Sequence, residues 1–142
     1  MKVDNCIYCT KGANLNKLMI EIIVFKVSTL FLLRDQVFKG RCVLSLNDHK
    51  KEIFDLTKDE RGDYFNDLSI AVNSIYQLFQ PDKINYAIFG DLVPHFHVHL
   101  VPKYKEGPLW GKTFCEEPVN PLILPNEELT NRVHQIRENI LK

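Results

Sequence analysis

Short apolar segments bounded by polar or turn-forming residues predict five β-strands. Each segment is rich in β-branched and aromatic residues, which is typical of strands. These segments are Leu18–Phe25, Thr29–Arg34, Arg41–Leu46, Ile84–Phe89 and His95–Val101. Only a few residues separate the first two, so we expect them to form an antiparallel pair.

A second pattern, with apolar residues every three or four positions, predicts a long helix in the middle of the chain. Its apolar stripe consists of Phe65, Leu68, Val72, Ile75 and Phe79. Thr57 and Glu60 have the spacing of a capping box, which marks the start of the helix. Pro81 ends it, since proline cannot continue a helix. Two further helices are expected, a short one over Lys50–Leu56 and a C-terminal one over Glu127–Leu141.

The order of these elements predicts the fold class. Three strands, a helix, two strands and a helix indicate a small α+β fold around an antiparallel sheet. The chain has 142 residues, close to the usual size of one domain, so we expect a single domain over residues 1–142.

Composition narrows the classes of function. Hydrophobic residues make up 45% of the chain, and 18 Lys and Arg balance 18 Asp and Glu. A net charge near zero argues against binding nucleic acid through a broad basic face, but allows a small anionic ligand. The N-terminal segment lacks the apolar stretch of a signal peptide. The most apolar run, Leu18–Leu33, contains charged residues, so no membrane span is expected and we predict a cytoplasmic protein.

The segment Pro94–Lys103 carries the clearest chemical signal. Three of the five histidines, His95, His97 and His99, occupy alternate positions. Side chains alternate between the faces of a strand, so these three imidazoles share one face, with apolar residues on the other. A purely structural role is disfavoured, because each buried imidazole would need its own polar partner. Two chemical interpretations remain open: three ligands for a catalytic metal, or one nucleophile that the other two position.

This segment resembles the signature of the histidine triad (HIT) superfamily, in which three histidines alternate with apolar residues. All seven signature positions, His95 to Val101, are met. Arg34–Gln36, Gly40–Leu44 and Asp82–Tyr86 are similar to the branch of bacterial diadenosine-polyphosphate hydrolases. The resemblance covers roughly residues 6–111 and implies a HIT-like fold with a five-stranded antiparallel sheet.

The resemblance also implies a mechanism. The middle histidine, His97, would attack the α-phosphorus of a nucleotide and form a nucleotidyl-histidine that water then hydrolyses. Neutral imidazole is available near neutral pH, and a covalent intermediate divides a difficult displacement into two easier steps. His99 would stabilise charge on a phosphoryl oxygen. Asn85 matches a residue that contacts phosphate in relatives, and Asp35 an acidic residue that binds the ribose hydroxyls. Both have a structural alternative, at a strand end and in a turn.

A metal site is implied as well. Cys6 and Cys9 form a C-x-x-C pair, which alone is a weak signal because a zinc site needs four ligands. With His49 and His95, the pair resembles the structural zinc site of some HIT proteins. The alternative is that both cysteines are ordinary thiols and His49 lies on the surface.

Two positions depart from the family pattern. Arg41 stands where many HIT proteins have histidine, and its permanently charged guanidinium can pair with phosphate. Asp91 stands where close relatives have asparagine, and a carboxylate beside a bound phosphate is repulsive unless it is protonated, turned away or paired. Asp91 therefore keeps open a third interpretation, a nucleotide-binding module without catalytic activity.

Relatives in this family form dimers through the long helix and the strand that follows it. The resemblance therefore implies a homodimer that uses Thr57–Phe79 and Ile84–Phe89. Tyr64, Ile70 and Tyr76 lie outside the predicted apolar stripe of the helix, so we expect them to face the partner.

Overall fold

The computed structural model describes residues 2–115 and 119–142. The five strands are β1 (Met19–Val24), β2 (Ser28–Leu33), β3 (Cys42–Leu46), β4 (Lys83–Ala87) and β5 (His97–Lys103). They form one antiparallel sheet in the order β1-β2-β3-β5-β4. The histidine strand β5 therefore lies inside the sheet, between β3 and the edge strand β4.

In the described part of the chain, four α-helices accompany the sheet. Two are single turns near the N-terminus, α1 (Ile7–Thr10) and α2 (Ala13–Asn16), and two are long, α3 (Lys58–Phe79) and α4 (Asn126–Leu141). The predicted α+β fold, with its five-stranded antiparallel sheet, long helix and C-terminal helix, is confirmed. The helix expected over Lys50–Leu56 is shorter than predicted, a single 3-10 turn at Ile53–Asp55. No helix in the described ranges is both long and apolar enough to cross a membrane.

The two faces of the sheet pack against different parts of the chain. Phe96, Val98 and Leu100 belong to the main core, which the long helices α3 and α4 complete. Phe31 and Val43 lie in a second cluster with residues of the N-terminal segment, among them Tyr8. The alternation predicted for the histidine strand is therefore present: its apolar residues pack in the main core, and its histidines lie on the N-terminal side.

Helix α3 begins as predicted, and its predicted apolar stripe is mostly confirmed: Leu68, Ile75 and Phe79 pack in the main core, and only the first position differs. The Thr57 hydroxyl accepts from the N–H of Glu60, and the Glu60 carboxylate accepts from the N–H of Thr57, so the capping box is confirmed. Phe65, however, is 47% exposed, whereas Tyr64 is completely buried. The phenol of Tyr64 donates to the Leu44 carbonyl at 2.6 Å, and this turns the helix toward the sheet. The expectation that Tyr64 faces a partner is therefore wrong.

Candidate active site and metal centre

The histidine face of the sheet forms one wall of a cavity of about 420 Å³. His97, His99 and Asp91 line it. The remaining wall is mostly apolar and includes Ile7, Leu18, Met19, Leu33, Val43 and Leu92. A concave apolar cavity with a few polar groups at one side is the usual form of a small-molecule site.

His97 is held in one tautomer by the backbone. It is 5% exposed, and its Nδ1 lies 2.5 Å from the carbonyl oxygen of His95. A carbonyl only accepts hydrogen bonds, so Nδ1 carries the proton and Nε2 keeps its lone pair. Burial lowers the pKa of His97 below its usual value, although the bond to His95 opposes this shift. The ring is therefore neutral at physiological pH, with a free basic nitrogen on the cavity side.

His99 has the opposite tautomer, with its proton on Nε2. Nη2 of Arg41 lies 3.5 Å from its Nδ1. A guanidinium only donates, so Nδ1 is the acceptor and Nε2 carries the proton. Burial, the neighbouring His97 and Arg41 together lower the pKa of His99 to about 4. The ring centroids of the two histidines are 5.1 Å apart, which places a lone-pair nitrogen and an N–H donor side by side.

Arg41 brings a cation to this site. Its guanidinium carbon lies 4.9 Å from the centroid of the Phe114 ring, a cation–π distance. Its Nε is buried and has no hydrogen-bond partner among the residues that the structure describes. Desolvation by burial lowers the pKa of Arg41, and the charge of Asp35 acts in the opposite direction. The arginine found in place of a histidine thus contacts His99 and supplies positive charge near the cavity.

Two predicted binding residues lie outside this cavity. Oδ1 of Asp35 accepts from the N–H groups of Val37 at 3.1 Å and Leu122 at 3.0 Å, which is turn stabilisation. Asn85 lies on β4, where its Oδ1 accepts from Nζ of Lys103 at 3.5 Å. The structure therefore brings together His97, His99, Arg41 and Asp91, and it places Asp35 and Asn85 elsewhere. Roles for these two in ribose and phosphate binding stay predictions.

The four predicted metal ligands do meet. Nδ1 of His95 lies 3.3 Å from Sγ of Cys6, 3.6 Å from Sγ of Cys9 and 3.2 Å from Nδ1 of His49. Sγ of Cys9 is 3.3 Å from Nδ1 of His49, and all four donor atoms lie within 4.8 Å of one another. Nε2 of His95 donates to the Leu46 carbonyl at 2.7 Å, which leaves Nδ1 free to bind a metal.

The four separations of 3.2 to 3.6 Å fit a tetrahedral zinc ion. Zn–N and Zn–S bonds of about 2.0 to 2.3 Å place neighbouring ligand atoms about 3.3 to 3.8 Å apart in a tetrahedron. The donor set, two thiols and two imidazoles, is one that zinc prefers, and four ligands leave no open position for a substrate. Cys6, Cys9, His49 and His95 are the residues that could hold such an ion, and the site would be structural.

The metal-ligand group includes His95 but neither His97 nor His99. It is the one such group of His, Cys, Asp and Glu side chains found within residues 2–115 and 119–142. His97 and His99 instead use their Nδ1 atoms in contacts with a backbone carbonyl and Arg41. This arrangement disfavours a catalytic metal held by all three histidines.

Tyr8 connects the two sites and was not singled out from the sequence. It lies between Cys6 and Cys9 in the chain, and its ring centroid is 5.4 Å from that of His95 and 4.9 Å from that of His97. It is 6% exposed, and burial raises the pKa of its phenol. The C-x-x-C spacing could have pointed to Tyr8, because a residue between two ligands of one metal ion is held close to that ion.

Comparison with known proteins gives consistent results. The model of the HIT domain family matches residues 20–106, more than half of the chain. A bis(5'-adenosyl)-triphosphatase of Saccharomyces cerevisiae is 41% identical over 56 residues, but this segment is 36% of the chain and only 27% of the yeast protein. The "Protein hit" of Bacillus subtilis is 26% identical over 118 residues, 76% of this chain and 77% of that protein.

Solved structures show the same fold. A histidine triad protein from Bradyrhizobium japonicum superimposes with a TM-score of 0.82 at 22% identity, covering 91% of this chain and 96% of that one. A Zn-bound histidine triad family protein from Mycobacterium smegmatis has a TM-score of 0.68 at 16% identity, covering 96% and 94%. At these identities the likeness concerns the fold.

Proposed function

Because the chain belongs to the HIT domain family, we propose that it is a nucleotide hydrolase or nucleotidyl transferase. Its substrate would be a dinucleoside polyphosphate or a nucleoside phosphoramidate, attacked at the α-phosphate. The tautomer of His97 carries this proposal. Its Nδ1–H is fixed by the His95 carbonyl, so the lone pair of Nε2 is left for a ligand in the cavity. The yeast relative is a bis(5'-adenosyl)-triphosphatase, an enzyme of the same class.

The proposed reaction has two steps at one phosphorus atom. In the first, the lone pair of His97 Nε2 forms a bond to the α-phosphorus. The bond from phosphorus to the bridging oxygen or amide nitrogen breaks, and its electron pair leaves with that group. In the second, water attacks the phosphorus, the P–N bond breaks, and the pair returns to Nε2 while the water gives up a proton. The covalent intermediate replaces one difficult displacement by two easier ones.

His99 and Arg41 would stabilise the negative charge that develops in this reaction. Negative charge develops on the phosphoryl oxygens as Nε2 approaches. With Nδ1 of His99 facing Arg41, its Nε2–H is placed to donate to such an oxygen. A donor fixed before the reaction starts costs no reorganisation, which makes it effective in the transition state. The low pKa of His99, about 4, keeps it neutral, so it acts as a hydrogen-bond donor and not as a cation.

We also propose that Cys6, Cys9, His49 and His95 hold a structural zinc ion. The ion would cross-link the N-terminal segment, the turn after β3 and the start of the histidine strand. His95 contributes to both sites, since its ring belongs to the metal centre and its carbonyl fixes His97. The metal centre would then support catalysis by holding the His95 carbonyl, and with it the His97 ring, at a constant position.

A homodimer, with one HIT domain over residues 1–142 of each chain, completes the proposal. Strand β4 is an edge of the sheet, and Tyr86 on it is 49% exposed. On helix α3, Ile70 and Tyr76 are 40% and 54% exposed. Exposed apolar side chains near an unpaired strand edge are suited to pairing with a second copy.

Incubation with diadenosine polyphosphates tests the proposal. We expect AMP as one product, and chromatography of the nucleotides would detect it.

An Asp91→Asn variant should bind substrate about three- to tenfold more tightly, because it removes a negative charge from the cavity that holds the phosphates.

Two outcomes would contradict this proposal. Binding of AMP without turnover by either protein would favour the non-catalytic module. Activity that disappears on chelation and returns with metal, while the fold stays intact, would favour metal-dependent hydrolysis.

A further inference from the structure

A second cleft lies on the same side of the sheet as His97, toward the other end of β5. It has a volume of about 440 Å³, and Lys83, Asn85, Lys103 and Trp110 line it, with Gly111, Lys112 and Thr113. Lys83 pairs with Lys103 across β4 and β5, and Ala87 pairs with His99 in the same register. Directly opposed residues of antiparallel strands share a face, so these lysines lie on the histidine side of the sheet.

Within residues 2–115 and 119–142, the side chains that line this cleft include lysines but no carboxylate. Lys103 is only 2% exposed, and its Nζ donates to the Lys112 carbonyl at 2.7 Å and to Oδ1 of Asn85 at 3.5 Å, both neutral acceptors. Nζ of Lys83 donates to the Ile84 carbonyl at 3.0 Å. The carboxylate of Asp82, next to Lys83 in the chain, accepts a hydrogen bond from the N–H of Lys105. A buried ammonium without a counter-charge is costly, and a bound anion would relieve that cost.

A chain of shared lining residues along β4 links the cleft to the catalytic cavity. A third cavity lies between them and shares Phe89 with the histidine site and both Lys83 and Asn85 with the lysine cleft. The Phe89 ring is 5.5 Å from that of His99. Along β5, His99 and Lys103 are four residues apart, about 13 Å in a strand. Val101, between them on the same face, is completely buried, so an elongated ligand attached to a phosphate at His97 would reach the lysines past Phe89, through the third cavity along β4.

We propose that this cleft binds the leaving half of the substrate: Lys83 and Lys103 bind its phosphates, and Trp110 stacks on its base. Trp110 is 41% exposed and lines the cleft, and an aromatic face stacks on any nucleobase. The assignment rests on the proposed function, because it identifies the substrate as a dinucleoside polyphosphate in preference to a phosphoramidate with a small leaving group. It also gives Asn85 a role, as the hydrogen-bond partner that orients Lys103.

Binding to an inactive protein tests this assignment. In a His97→Asn background, which prevents turnover, the affinities for diadenosine tetraphosphate and for AMP are measured by calorimetry. Adding Lys83→Gln should weaken binding of the tetraphosphate about tenfold, as expected for loss of one charge-assisted hydrogen bond, and change that of AMP less than about twofold. Trp110→Leu should act in the same direction. Lys105→Gln, which removes an exposed lysine outside the cleft, should change neither affinity.

The two possible failures are distinguishable. If AMP binds normally and neither Lys83→Gln nor Trp110→Leu weakens binding of the tetraphosphate, the cleft assignment is wrong while the proposed function stands. If the His97→Asn protein is folded by circular dichroism but binds neither nucleotide, the proposed function fails and the cleft assignment with it. Lys83 and Trp110 were chosen over Lys103 because they are exposed, so their replacement leaves the core intact.

Discussion

Replacing His97 by alanine is expected to lower kcat/KM for a diadenosine polyphosphate by about 10⁴-fold or more. The variant loses the atom that forms the bond to phosphorus, and losses of this size are typical when a catalytic nucleophile is removed. Binding should suffer much less, because the apolar wall of the cavity is unchanged. Steady-state kinetics combined with equilibrium binding of AMP would separate the two effects.

His99→Ala is the matched comparison. It removes a hydrogen-bond donor and leaves the nucleophile, so a smaller loss of about 10² to 10³ in kcat is expected. Thermal unfolding of both variants controls for changes in stability. A His97→Ala protein that retains full activity would refute the role assigned to this residue. Equal losses in the two variants would show that neither is specifically the nucleophile.

Loss of the metal centre should have the second-largest effect, and it should fall mainly on stability. We expect the protein to contain one tightly bound zinc ion per chain and a Cys9→Ser variant to lose it. An ion that binds only the folded state stabilises it by about 3 to 4 kcal/mol when present well above its dissociation constant. For a chain of this size, that corresponds to a decrease in Tm of about 10 °C.

The measurement combines elemental analysis with thermal unfolding, before and after chelation. Cys115→Ser is the matched control, since Cys115 is exposed and lies outside the ligand group. It should keep both the zinc content and the Tm of the original protein. If Cys9→Ser and the original protein have the same metal content and the same Tm, the four-ligand site does not bind zinc. A smaller decrease in kcat should accompany metal loss, because Tyr8 and the His95 carbonyl position His97.

Much of the fold could be predicted from local sequence patterns. The strands follow runs of β-branched residues, and the long helix begins at the Thr57–Glu60 capping box. The pattern placed Leu68, Ile75 and Phe79 correctly but did not fix which residue begins the buried stripe. Tyr64 and Phe65 both fit a spacing of three and four residues, and only the reach of the Tyr64 hydroxyl to the Leu44 carbonyl decides between them. The single-turn helices α1 and α2 are too short to produce a periodic signal.

Some residues of the candidate site could also be placed from the local sequence pattern, and others could not. Alternation along one strand was enough to place His97 and His99 on the same face. The ligand set of Cys6, Cys9, His49 and His95 spans distant parts of the chain, so it could only be suggested by resemblance. Asn85 and Asp35 were expected near phosphate and ribose, but a sequence does not show which cavity a side chain lines. Lys103 gave no signal, because an isolated lysine is normally a surface residue.

Detection of the covalent intermediate tests the central claim most directly. The protein is mixed with a diadenosine polyphosphate, quenched in alkali within milliseconds because phosphorus–nitrogen bonds are labile in acid, and digested for mass spectrometry. The mechanism predicts that the peptide containing His97 gains one adenylyl group, located on that residue and absent from the His97→Ala variant. An adenylyl group located on another residue, or single-turnover formation of AMP without any adduct, would contradict it.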